Sequence, residues 1–77
     1  MIRRKIKLDN VKNIEAFNKL CSKFDCDMDL VSGKFFVNAK SIMGIFSLDL
    51  SKPIDLNIHS ENNVDEILNK LSPFIVE

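Results

Sequence analysis

Tryptophan and tyrosine are absent from this chain, histidine occurs once, as His59, and cysteine, glycine and proline occur twice each. Two cysteines are too few for the disulfide framework of a small secreted domain, and with one histidine they do not complete an ordinary zinc site. Neither lies in a Cys-x-x-Cys motif or beside an evident thiolate stabiliser, so Cys21 and Cys26 read as small buried hydrophobes. Net charge is also missing: eleven basic residues balance eleven acidic ones. That leaves no global field to draw a phosphate backbone or an anionic lipid surface, and no nucleic-acid or membrane partner is expected. No apolar run approaches the ~20 residues of a membrane span, and the charged N-terminus leads into no signal-peptide core. A cytoplasmic location is expected.

What is present is the composition of a folded protein: 45% apolar and 29% charged residues in 77 positions, the length of one domain spanning 1–77. A chain of this size buries only about 60% of the surface it exposes when unfolded, so its core is thin. The one basic cluster, Arg3-Arg4-Lys5-Lys7, is interrupted by Ile2, Ile6 and Leu8 at strand spacing and reads as a strand with one wet face, Arg4 being the exception.

From Asn13, the residues Ile14, Phe17, Leu20, Cys21 and Phe24 recur at helical intervals, with Asn10 or Asn13 placed to cap. Cys26, Met28 and Leu30 then alternate with Asp27 and Asp29 as a second strand. Ser32-Gly33 turns the chain, and Phe35, Val37 and Ala39 mark one face of the returning strand. Ser41 is an N-cap for the short apolar helix Ile42, Met43, Ile45, Phe46, Leu48, which Ser51-Lys52-Pro53 closes. Ile54, Leu56 and Ile58 alternate with Asp55, Asn57 and His59 in a fourth strand. Asn63 is expected to cap a last helix with the stripe Val64, Ile67, Leu68 and Leu71, ended by Pro73, before an apolar tail from Phe74 to Val76 that packs back. The order β-α-β-β-α-β-α predicts an α+β fold, a four-stranded sheet with helices on one face and the other open to solvent.

The stretch Val37-Asn38-Ala39-Lys40-Ser41-Ile42-Met43-Gly44-Ile45-Phe46-Ser47-Leu48 resembles the regulatory-serine segment of the HPr family, phosphocarriers of the bacterial sugar phosphotransferase system. The likeness runs from Ser22-Lys23-Phe24 to Asn57-Ile58, about half the chain. It implies the HPr-like open-faced sandwich, with an antiparallel sheet. Upstream the chain departs from the family, whose active histidine, with an arginine and a proline after it, leads into the first helix. Here Leu8-Asp9-Asn10-Val11-Lys12-Asn13-Ile14 contains none of the three. A lysine ammonium attracts phosphate but has no lone pair with which to accept a phosphoryl group, and His59 reads as a surface strand residue. No phosphohistidine transfer, no catalytic residue, no enzymatic activity and no cofactor or metal set are therefore expected.

By the same resemblance Ser41 matches the serine that HPr kinase phosphorylates, and Crh, an HPr-like catabolite-repression protein that lacks the active histidine, is the nearer functional analogue. Lys40, Ile42, Met43 and Phe46 are then candidate partner-binding residues, as is Lys12, the only nearby cation where the family uses an arginine early in the first helix to engage the phosphoserine. On local chemistry alone, Ser41 reads as a plain N-cap, with Met43 and Phe46 ordinary packing. The implied function is a regulatory or adaptor protein of the phosphotransferase system or carbon catabolite control, with HPr kinase, a transcriptional regulator or a second copy as partner. A repurposed scaffold for interaction or dimerisation, and a phosphocarrier working through an atypical residue, are the alternatives.

Overall fold

The computed structural model describes residues 1–76. It contains β1 (Ile2–Ile6), α1 (Val11–Ser22), β2 (Asp27–Ser32), β3 (Phe35–Asn38), α2 (Ile42–Phe46), β4 (Ile54–His59) and α3 (Val64–Leu71), followed by a 3-10 turn at Ser72–Phe74. This is the expected element order. All pairings are antiparallel, and the strands lie in the order β1-β4-β2-β3.

Period-two alternation explains the two faces of the sheet. Ile6, Met28, Leu30, Ile54, Leu56 and Ile58 are buried together with Ile14, Phe17 and Cys21 of α1, Ile45 of α2, and Ile67 and Leu71 of α3. The opposite face carries polar pairs. Lys5 Nζ lies 2.9 Å from Asp55 Oδ1, Arg3 Nε donates to Asn57 Oδ1 at 3.0 Å, and His59 Nε2 pairs with Asp29 Oδ2. Asn57, expected at the wet face, is buried there because β4 is an inner strand and Arg3 lies across it. Arg4 falls on the core-side row opposite Leu56 but carries its guanidinium outward, where Nη1 donates to the Arg3 carbonyl at 2.8 Å. The basic cluster is thus engaged within the fold.

Several boundaries and contacts differ from expectation. α1 starts at Val11 because Asn10 is the cap, its Oδ1 accepting from the Asn13 amide at 2.9 Å. Ser32 belongs to β2 and pairs with Phe35, so the hairpin loop is Gly33-Lys34, with Gly33 at φ 59° where a side chain would be strained. Asn63 makes no side-chain cap. It adopts the left-handed conformation, φ 58° and ψ 25°, which Asn tolerates better than most residues, and this turns the chain into α3. Cys26 precedes β2 and is only half-buried.

The link from α2 to β4 is held by Asp49, whose Oδ1 accepts from the Ser51 hydroxyl at 2.6 Å and the Ser51 amide at 3.1 Å. These two bonds, the hydroxyl's first, hold its carboxyl below the usual value. The apolar tail packs back as expected for Phe74 and Ile75. Lys7 N donates to Phe74 O at 2.9 Å, Val76 N to Lys5 O at 3.0 Å, and Ile75 bridges Ile6, so the tail covers the outer edge of β1. Val76 itself is exposed.

Burial pushes the Cys21 thiol from its ordinary 9.0 up to about 12, with the Lys40 charge opposing the shift and Cys26 adding to it. Between those values the unfolded chain loses the proton and the folded chain keeps it. Stability is therefore expected to fall as pH rises above about 9, seen as a falling urea midpoint whose slope is reduced in Cys21→Ala. Thiol titration of the native protein should modify Cys26 well before Cys21, since Cys21 has no exposed surface.

Candidate functional site

The site is built around the loop from β3 into α2. Ala39 N donates to Met28 O at 2.9 Å, and Ala39 is fully buried, which anchors the end of β3. Asn38 shapes the next step, since its Oδ1 accepts from Lys40 N at 2.8 Å and its carbonyl from Ser41 N at 3.0 Å. Ser41 then has the extended backbone of an N-cap, φ −98° and ψ 108°, and its Oγ accepts from Gly44 N at 3.1 Å. A Cβ on Gly44 would stand 3.2 Å from both Ser41 Oγ and Val37 Cβ. Glycine here lets α2 sit down on β3 with its cap intact.

Ser41 is exposed, and α2 presents Met43 and Phe46 to solvent with 77% and 46% of their surface free. Ile42 is half-buried and packs on the core, while Ile45 is fully buried. α2 therefore splits into an inward row that holds it and an outward pair that is free to touch another protein. Lys40 is spoken for: its Nζ donates to the Phe24 carbonyl at 2.6 Å, just past the end of α1. Asn18 Nδ2 reaches the Ala39 carbonyl at 3.4 Å. These two ties place the Ser41 loop beside the C-terminal half of α1. Lys12 is exposed in the first turn of α1, six residues before Asn18 and so about 9 Å along the helix axis.

His59 ends β4 opposite Asp27. The loop from β1 to α1 leaves the sheet beside Ile54, which pairs with Ile6 at the other end of β4. Five strand steps separate the two ends, about 17 Å. Neither the Asp29 to His59 pair nor the ties of Asn18 and Lys40 was foreseeable from spacing, because each joins residues whose strands or helices meet only in the folded sheet. Among the described residues no group of three or more His, Cys, Asp or Glu side chains is placed to hold a metal ion, and no helix is long and apolar enough to cross a membrane.

A four-stranded antiparallel sheet backed by helices, with a serine-capped short helix lying on its edge strand, defines an HPr-like α+β scaffold. The family model described as PTS HPr component phosphorylation site matches residues 10–77, and this chain belongs to the HPr family. Among solved structures, HPr-C-His from Thermoanaerobacter tengcongensis is similar at 28% identity, with 95% of this chain and 89% of that one covered and a TM-score of 0.79. The catabolite repression protein Crh of Bacillus subtilis, crystallised as a dimer with a swapping domain, is 32% identical over 94% of this chain and 83% of its own, TM-score 0.67. The phosphocarrier protein HPr of Bacillus anthracis shares the fold at 22% identity, covering 97% and 96%, with a TM-score of 0.78. A search of curated protein sequences gave no significant match.

Proposed function

We propose that this chain is a non-catalytic regulatory or adaptor member of its family, acting in the phosphotransferase system or in carbon catabolite control without carrying phosphohistidine. The observation that carries this is the place of its one histidine, at the far end of β4 from the first turn of α1 and already paired with Asp29. The start of α1 offers Asn10, Val11 and Lys12, none of them a nucleophile suited to phosphoryl transfer. The likeness to Crh is consistent with the same role.

Protein contact is assigned to the exposed side of α2, Met43 and Phe46 with the edge of Ile42, and the switch to Ser41. A phosphate there adds about −1.5 to −2 charges beside that apolar pair, at a helix start whose Gly44 amide already points at the hydroxyl. Lys40, the residue before Ser41, has its ammonium held on the Phe24 carbonyl, and Lys12 lies in the first turn of α1. HPr kinase with ATP is expected to add one phosphoryl group, read by intact mass, that is absent from Ser41→Ala. An unmodified wild-type protein would remove the switch. Because Ser41 is also the cap, Ser41→Ala is expected to cost about 1 kcal/mol and lower Tm by roughly 4–8 °C, so the variant must be assayed below its melting range.

A further inference from the structure

Exposure does not distinguish the serines around α2. Ser41, Ser47 and Ser51 are all exposed, but their hydroxyl protons are differently placed. Ser47 Oγ donates to the Gly44 carbonyl at 2.6 Å, and Ser51 Oγ to Asp49 Oδ1 at 2.6 Å. Ser41 Oγ only accepts, from Gly44 N at 3.1 Å, and among the described residues nothing takes its proton. A serine attacks phosphorus through an oxygen whose proton a base removes, so a proton already given to a carbonyl or a carboxylate must first be released.

Gly44 stands between two of these serines. Its carbonyl holds the Ser47 proton, its amide orients Ser41 Oγ, and its missing side chain leaves the flank of that oxygen open. A Cβ at position 44 would lie 3.2 Å from Ser41 Oγ and 3.4 Å from Ser41 Cβ. That already crowds a bare hydroxyl, and a phosphate replaces the proton with a phosphorus bearing three further oxygens.

We propose that Gly44 is the specificity-determining residue of this segment: it leaves Ser41 Oγ room to take a phosphoryl group, while its carbonyl keeps the Ser47 hydroxyl engaged. This rests on the phosphorylation of Ser41 proposed above and gives the reason that this serine is the acceptor. In the step, Ser41 Oγ bonds to the γ-phosphorus of ATP as the bond from that phosphorus to the β,γ-bridging oxygen breaks. ADP leaves with that oxygen, and the hydroxyl proton passes to a base of the kinase. A methyl at position 44 stands against the attacking oxygen throughout.

HPr kinase with ATP, followed by fragmentation of the product, is expected to place the phosphate of the wild-type chain on Ser41 and none on Ser47. In Gly44→Ala, kcat/KM should fall at least about tenfold, although alanine is the better helix former and α2 stays folded. A Cβ at position 44 also meets Val37 Cβ at 3.2 Å, and the double variant Val37→Ala/Gly44→Ala separates the two contacts. The loss should persist there, while Val37→Ala alone is phosphorylated like the wild type. Phosphoserine encoded at position 41 tests the space without the kinase, and should lower Tm by at least ~4 °C more in Gly44→Ala than in the wild-type background. Unchanged kinetics in Gly44→Ala, recovery in the double variant, phosphate on Ser47, or equal Tm shifts from phosphoserine in both backgrounds would each overturn the proposal. A wild-type chain that the kinase leaves unmodified would instead remove the switch, and the phosphoserine comparison would still decide whether Gly44 makes the room.

Discussion

Truncating Phe17 to alanine is expected to destabilise the protein by about 3–5 kcal/mol. Phe17 is fully buried in the middle of α1, and its ring meets that of Phe74 edge to face with centroids 5.5 Å apart. The substitution leaves a cavity beneath α1 and removes the contact that seats the tail against β1. For 77 residues total stability is of the order of 4–12 kcal/mol, so a single cavity consumes a large share of it. At roughly 4–8 °C per kcal/mol for a domain of this size, circular-dichroism melts should show Tm lower by at least ~12 °C, or no folded baseline at all. Leu56→Ala, in the inner strand β4, falls in the same class at about 2–5 kcal/mol. Phe35→Ala at low concentration is the contrast, expected within about 0.5 kcal/mol of wild type because that ring is largely in water. Equal losses at Phe17 and Phe35 would contradict the assigned core.

The second large effect is all-or-none. Incubated with enzyme I and phosphoenolpyruvate, the protein is expected to acquire no acid-labile phosphoryl group under conditions that fully label an HPr with its active histidine. A neutral imidazole is nucleophilic near neutral pH, which is the property the transfer requires. The first turn of α1 holds no imidazole, and His59 lies about 17 Å of strand away from where that loop leaves the sheet. Labelling that survives in His59→Gln would assign the transfer to another residue, while labelling lost in that variant would make His59 an atypical carrier. Either outcome would end the non-catalytic proposal.

The element order was legible because each segment of this chain carries one clear period. Ile54, Leu56 and Ile58 alternate without interruption, and β4 is found where they stand. Ser41 reads as a cap from its place before an apolar run, and its hydroxyl does accept from Gly44. Asn63 shows where such reasoning fails. Cap-like residue identity does not reveal the backbone angle, and here the left-handed turn into α3 removes the side-chain cap that composition implied. Asn57 fails for another reason: alternation assigns a face but not what crosses it, and Arg3 arrives from a strand 54 positions away.

Of the site, the cap and the apolar outer row of α2 could both be read along the chain. Which members of that row are free was not in the periodicity, because Ile42 and Met43 are adjacent apolar residues and only the packing of α2 on β3 and α1 separates them. The bond from Lys40, a candidate contact residue, to the Phe24 carbonyl was not in the spacing either. The asymmetry of the sheet edges is likewise invisible until strand order is known.

By itself, then, the sequence determined the kinds of element and their order, since hydrophobic period, caps and turns act over three or four residues. Tertiary structure decided which strand is an edge, where Ser41 sits against α1, and which cations are occupied. Those depend on contacts between residues 16 to 54 positions apart, set by how the whole core closes rather than by any local preference.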